Sequence, residues 1–331
     1  MNVLYSLIMV LALVMIPLLG TGAAEWHTLF GVVVPYLAFI FFVGSFIYKV
    51  VDWGRSAVPF RITTTGGQQE SLPWIKQSKL DNPSTTAGVV LRMILEVLLF
   101  RSLFRNTRVQ LFRDGQQLSY GSSKFLWLGA LAFHVSFFVI LIRHMRFFTE
   151  PVPAVFTWLE FFDSILQIGV PTLFLTEIVI LLALAYLFLR RIVVPQLRYI
   201  SLPSDYFALF LILAIVLSGV LMRYFVRTDV VYIKELTMGL ITFSPTIPQQ
   251  IGAIFYIHLF LACALLVYFP WSKLMHLAGV FLSPSRNLAN NNRMVRHINP
   301  WNYPVKLHTY EEWEDDYREA MKEAGIPVEK E

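Results

Sequence analysis

The sequence predicts an all-α integral membrane bundle of six transmembrane helices, with an amphipathic helix in a cytoplasmic loop and a short cytoplasmic C-terminal tail. Three observations carry that expectation. Of 331 residues, 56% are hydrophobic and 15% are charged, with a mean hydropathy of +0.59, whereas a soluble domain carries about 25% charged residues. Six apolar runs, 3–20, 28–51, 124–146, 167–191, 205–226 and 250–275, approach the length that crosses a hydrocarbon core of about 30 Å. Lys and Arg then divide 22 to 5 between alternate loops, which places both termini in the cytoplasm. The basic pI near 9.2 follows from this loop bias and calls for no nucleic-acid partner.

Taken in order, the first run is followed by the small-residue stretch TGAA at 21–24, yet no Lys or Arg precedes it. It therefore reads as an uncleaved helix rather than a secretory signal. His27 marks the outer start of the second run. Residues 52–122 form a long basic loop: Arg61 to Asn82 reads as exposed coil, rich in Gly, Thr and Gln. GVVLRMILEVLLFRSLFRN (88–106) mixes apolar residues with Arg92, Glu96, Arg101 and Arg105, the pattern of a helix lying on the inner leaflet or against a partner.

On the opposite face, EPVPAVFTWLEFFDS (150–164) opens with two prolines and continues as an interfacial helix carrying Trp158 and Phe161. From Asn287 the composition turns polar, and YEEWEDDYREAMKEAG (310–325) is a charged helix with acids early, Arg318 and Lys322 late, and Gly325 and Pro327 as stop signals. The single cysteine, Cys263, excludes an intrachain disulfide and a cysteine-ligated iron–sulfur cluster within this chain.

Seven histidines occur, and four fall within predicted membrane helices: His134 and His144 on the third, His258 and His276 on the sixth. An imidazole in apolar surroundings loses hydration and needs a partner, so intramembrane histidines are candidates for function. The third and sixth helices run antiparallel under the charge rule. His134 then shares a depth with His276 toward the cytoplasm, and His144 with His258 toward the outside. Ten residues rise about 15 Å and eighteen about 27 Å, which leaves an offset of about 6 Å at each rung. Tilted helices and long imidazole arms absorb it. Two b-type haems, each held by two histidines, answer this pattern, because axial imidazole on both sides of the iron favours electron transfer. A zinc or copper site would instead want ligands converging on one point.

The residues that carry this ladder also carry a resemblance. YGSSKFLWLGALA followed by FHVSFFVILIRH (133–144), with HLFLACALLVYFPWSKLMH (258–276), resembles the gamma subunit of respiratory nitrate reductase, a dihaem cytochrome b, over about 120–280. The resemblance implies an inner haem b on His134 and His276 and an outer haem b on His144 and His258, the iron of each held by its two histidines. That family has five helices, whereas this chain adds an N-terminal one, the long basic loop and the tail RHINPWNYPVKLHTYEEWEDDYREAMKEAG. The six-helix form resembles the membrane cytochromes b of dissimilatory sulfite reduction electron-transport complexes, also described as heterodisulfide-reductase-like menaquinol oxidoreductases. It implies menaquinol as substrate from the menaquinone pool, and a cytoplasmic iron–sulfur partner related to the heterodisulfide reductase catalytic subunit. It also implies further membrane and extracytoplasmic subunits. The gamma-subunit family places a lysine in its quinol pocket; here no lysine lies between Lys124 and Lys234, so that residue has no counterpart.

The expected division is 1–51, two N-terminal transmembrane helices; 52–122, the basic loop; 123–280, a four-helix dihaem core; and 281–331, a tail that docks a partner subunit. Oxidation of menaquinol near the outer histidines would deliver electrons inward to the iron–sulfur partner. A quinol site needs a group that binds the ring oxygen and one that accepts a proton. The candidates are Arg143 and Arg146 beside the outer histidine, and Glu177 in the fourth run, with Glu150, Glu160 and Asp163 as further nearby carboxylates. His27 reads as interfacial, with contact to the quinol pocket as the alternative; His297 and His308 read as partner contacts in the tail. Within the class, the alternatives are a nitrate reductase gamma subunit proper or a heterodisulfide reductase cytochrome b. Outside it stand a transporter, for which the first, second and fifth runs are too featureless, and a structural anchor, for which four matched histidines would be superfluous.

Overall fold

A computed structural model of the chain describes residues 2–56, 58, 61, 69–112, 117–164, 171–294 and 307–330. It is mostly helical. Five helical segments among these residues are long and apolar enough to cross a membrane: 2–22, 29–54, 124–148, 203–226 and 253–271. The first is α1 (Asn2–Gly22). The second opens as a π-helical turn, Leu29–Val33, and runs on as α2 (Val34–Gly54), with Pro35 at the junction. The expected fourth span, 167–191, corresponds to α7 (Leu175–Val193). It is 19 residues long and carries Glu177 in its first turn with Arg190 and Arg191 in its last; residues 165–170 lie outside the described residues.

The core helices are α5 (Lys124–His144), α7, α9 (Pro203–Val220) and α11 (Ala253–Tyr268). α5 packs along α7, α7 against α9 and the short α8 (Pro195–Ile200), and α9 against α11, while α1 packs against both α9 and α11 and α2 against α11. One apolar cluster, Val10, Leu211, Ile257 and Leu261, joins α1, α9 and α11. A second, Ile180, Leu184 and Ile212, joins α7 to α9 with Phe133 and Phe137 of α5 packed on it. At the start of α1, Ser6 Oγ donates to Pro203 O (2.7 Å) and Asn2 Nδ2 to Ser201 O (3.0 Å). α9 ends in a second π-helical turn, Leu221–Val226, which leads to α10 (Val230–Ile241).

The sixth run differs from a single helix. α11 ends at Tyr268, two 3-10 turns follow (Phe269–Trp271 and Lys273–Met275), and α12 (His276–Leu282) begins at the histidine itself. Pro270 is the cause, because it has no N–H to continue the ladder and its ring collides with the preceding turn. Ser272 restarts the chain by accepting from Leu274 N (3.2 Å).

Within the loop, α3 (Thr86–Leu99) is capped by Thr85, whose Oγ1 accepts from Gly88 N, and ends at Phe100 with φ 50°; α4 (Arg101–Phe104) follows. Its amphipathic pattern is turned with the charges inward. Arg92 and Glu96 are buried and lie 3.8 Å apart, while Val90, Leu91, Ile94, Leu98 and Leu99 are exposed. Burial holds the Arg92 guanidinium below its usual pKa. The loop is tied to the segment after α12: Asn290 Nδ2 donates to Asn82 Oδ1 (2.8 Å) and Asn291 Nδ2 to Ser84 O (3.0 Å). Of the coil expected over 61–82, residues 62–68 lie outside the described residues. An antiparallel hairpin, β1 (Thr107–Phe112) and β2 (Gln117–Ser122), follows where no strand was expected; Val109, Leu111, Phe112, Leu118 and Tyr120 are all exposed. The segment after the paired prolines forms α6 (Ala154–Asp163), with Trp158 and Phe161 exposed.

The tail helix, α13 (Tyr310–Glu323), starts with a capping box between Thr309 and Glu312. It is followed by Gly325 at φ 71°, where a glycine relieves the left-handed backbone. His308 lies 3.9 Å from Asp316, and His297 lies outside the described residues. Glu314 is buried under the chain end: it accepts from Glu329 N (2.8 Å) and Lys330 N (2.9 Å) and lies 3.5 Å from Arg318. The two backbone N–H groups, aided by Arg318, hold its carboxyl below the usual range. Such a clasp is complete above the unfolded carboxylate pKa of about 4.3 and is lost as pH falls through the depressed folded value. Tryptophan fluorescence from Trp313 is therefore expected to report release of the clasp on acidification from neutrality to about pH 3. In Glu314→Gln that transition should be absent, because no charge remains to titrate.

Candidate functional site

The four histidines expected in the membrane helices meet in two pairs. His134 faces His276 with ring centroids 5.8 Å apart, edge to face, and His144 faces His258 at 6.2 Å, nearly parallel. On α5, ten residues apart, His134 and His144 each hydrogen-bond one turn back: His134 Nδ1 donates to Ala130 O and His144 Nδ1 to Ile140 O, both at 2.7 Å. His276 Nδ1 donates to Lys273 O at 2.8 Å, a carbonyl presented by the 3-10 turn that Pro270 creates.

His258 Nδ1 lies 2.9 Å from Ser218 Oγ, and that hydroxyl also lies 2.9 Å from Ile215 O. With the single Ser218 proton directed to Ile215 O, the hydroxyl is left to accept from His258 Nδ1–H. All four rings are therefore held through Nδ1, and among the described residues no hydrogen bond engages an Nε2.

That arrangement fits an axial metal ligand. A ligating imidazole characteristically donates its other N–H to a carbonyl or similar group, which sets tautomer and ring plane. With metal–imidazole bonds of about 2 Å on each side, two rings sharing one iron have centroids about 6 Å apart, matching both pairs. No cluster of three or more His, Cys, Asp or Glu able to hold a metal occurs among the described residues, so the donor set consists of two-histidine rungs. Phe133 and Phe100 stand edge-on to His134 at 5.0 and 4.9 Å, and Phe147 to His144 at 5.9 Å. His276 is exposed, beside a cavity of about 310 Å³ lined by Lys49, Trp53, Trp271 and Lys273.

Next to His144, Arg143 turns the other way into a buried polar knot. It is ion-paired with Asp163, and its Nη2 lies 3.5 Å from Glu177 Oε1. Asp163, 6% exposed, also accepts from Thr176 N (2.8 Å) and Thr176 Oγ1 (2.6 Å). Glu177 Oε2 accepts from Tyr224 OH at 2.5 Å. The Phe174 ring lies between two guanidiniums, Arg143 at 3.5 Å and Arg223 at 4.0 Å. Arg223 Nη2 donates to Thr172 O (3.0 Å). Arg146 pairs with Glu160 at 2.6 Å, and Glu150 with Lys234. The three sequence-derived quinol candidates thus already have partners: Arg143 and Glu177 belong to the knot, and Arg146 to a half-buried surface pair.

Sequence reasoning missed Thr172, Thr176, Arg223 and Tyr224, and it named Asp163 only as a neighbouring carboxylate. One signal was available, because Arg223-Tyr224 is a charged and a polar residue at the end of an otherwise apolar run.

A profile of the family described as nitrate reductase gamma subunit matches residues 89–297. The Hdr-like menaquinol oxidoreductase cytochrome b-like subunit of Archaeoglobus fulgidus is 47% identical over 280 residues, 82% of this chain and 83% of that protein. The subunit of the same description from Archaeoglobus profundus is 44% identical over 299 residues, 88% of this chain and 86% of that protein.

Proposed function

The chain belongs to the nitrate reductase gamma subunit family, and from that premise we propose that it is a dihaem cytochrome b that oxidises menaquinol near the outer face of the membrane. It passes electrons to a cytoplasmic iron–sulfur subunit of a sulfite-reduction-linked respiratory complex. The single observation that carries this reading is the pair of rungs, each with both Nδ1 atoms held and both Nε2 atoms left for iron.

His134 and His276 hold the inner haem b, and His144 and His258 the outer one. When bound, the two haems supply one-electron carriers at two depths. The chain's own residues orient the rings, and the phenylalanines around His134 and His144 exclude water from them. Both termini are cytoplasmic in this reading, with α7 completing six spans. The basic loop and the acidic α13 then lie on the side where an iron–sulfur partner related to heterodisulfide reductase would dock. The relatives' name, Hdr-like menaquinol oxidoreductase, supports the substrate and the multi-subunit setting.

The test is anaerobic mixing of the purified complex with menadiol, a tail-less reduced naphthoquinone, followed by haem absorbance. Reduction of b-type haem at a rate that saturates with menadiol is the expected result. A b-type spectrum that dithionite reduces and menadiol does not would remove quinol oxidation from the reading.

A further inference from the structure

Two polar groups in the outer apolar core have no partner, and they lie side by side. Tyr256 of α11 is 0% exposed, and burial is the only influence on its hydroxyl, which has no hydrogen-bond partner among the described residues. His27 Nδ1 is likewise buried without a partner. The two rings are 5.2 Å apart. Buried polar groups are almost always paired, so two adjacent exceptions call for a missing third group. Their neighbours obey the rule: Tyr36 OH donates to Leu240 O (2.8 Å), and Thr237 Oγ1 to Phe147 O (2.7 Å).

We propose that His27 and Tyr256 form the binding site for the hydroquinone ring, with Tyr256 OH donating to a ring oxygen and His27 Nδ1 accepting from the ring hydroxyl. The inference rests on the quinol reading above and gives it a location different from the Arg143 knot, whose groups are already paired. Phe30, Leu236 and Phe255 surround Tyr256 and supply an apolar wall for the ring. Gly31 brings the backbone close: a Cβ there would lie 3.3 Å from Tyr256 Cε1.

Both π-helical turns border the site. Leu29–Val33 begins two residues after His27, and Leu221–Val226 contributes Met222 to the same cluster; such turns recur at functional sites. Phe147 packs on this cluster and also lies against His144. Tyr256 and His258, two residues apart, face opposite sides of α11, toward Gly31 and toward Ser218 respectively. The site is therefore one helix away from the outer rung. His27 lies outside the segment 89–297 that the family profile matches, so this half of the site comes from the part of the chain before that segment.

Menadiol-driven haem reduction in the whole complex tests the assignment, with Tyr256→Phe and His27→Ala beside wild type and dithionite-reduced haem content as the control for folding. Removal of one hydrogen bond to the ring is expected to raise the KM for menadiol about five- to tenfold in Tyr256→Phe, with haem content and melting temperature undiminished. A hydroxyl with only a structural role would give a different signature, because deleting an unpaired buried hydroxyl leaves KM unchanged and stabilises the fold. An unchanged KM in both variants means that the pair bridges an ordered water only, and it overturns the proposal while the quinol reading stands. Failure of menadiol to reduce the wild-type complex removes the quinol reading, and this site with it.

Discussion

Under the dihaem proposal, His144→Ala and His276→Ala are each expected to lose one of two haems b, as read by dithionite-reduced minus oxidised spectra with pyridine haemochrome quantitation. Each rung has two protein donors, and no third His, Cys, Asp or Glu stands ready to replace a lost one among the described residues. The two losses should be independent, because His144 is paired with His258 and His276 with His134. Loss of both haems from one substitution would mean that the rungs are not separate sites. A protein with no haem, or a haem indifferent to these histidines, would leave a transporter or an anchor as the better description. Ser218→Ala is a milder companion. It removes only the group that accepts from His258 Nδ1–H, so the outer haem should be retained with altered affinity or potential.

The second large effect is on folding. Asp163→Ala leaves the Arg143 guanidinium buried with only the longer contact to Glu177, and it also strips Thr176 N and Oγ1 of their acceptor. Removing one partner of a buried pair costs about 3–5 kcal/mol, chiefly through the charge left behind. A large fall in melting temperature of the detergent-purified protein is therefore expected, and a comparable one for Arg143→Ala. The double variant Arg143→Met with Asp163→Leu should recover part of the loss, since the two directly paired charges leave together, while Glu177 still loses its guanidinium contact and Thr176 its acceptor. If the singles and the double fell additively, the pair would be contributing shape alone.

The parts of this protein legible in its sequence are those governed by short-range rules. Apolar length marks the spans, and the 3.6-residue period explains why His134 and His144 find carbonyls at Ala130 and Ile140, four residues back. The capping box at Thr309 and the stop at Gly325 belong to the same kind of information. What escaped depends on segments distant in sequence. The knot joins α5, the end of α6, the start of α7 and the π-helical turn after α9, and nothing local in Asp163 or Tyr224 announces such partners. The hairpin was legible, because RVQL and QLSY alternate polar and apolar residues on either side of Asp114-Gly115, but these stretches are short beside the apolar runs that dominate the chain. The pattern of α3 predicts a helix lying on the inner leaflet or against a partner; that its charges turn inward is not legible, since hydrophobic patterning alone does not say which side meets the chain and which meets lipid or a partner.

The interruption at Pro270 has a consequence for how the two rungs can diverge. On α5 the histidines share one continuous helix, a rigid ruler. Opposite them, His258 and His276 are carried by separate pieces joined through two 3-10 turns. A substitution in 269–275 can rotate or shift the inner ring without transmitting the motion to the outer one. The His134–His276 rung is in this sense modular: its geometry can be altered through 269–275 while that of the His144–His258 rung is preserved.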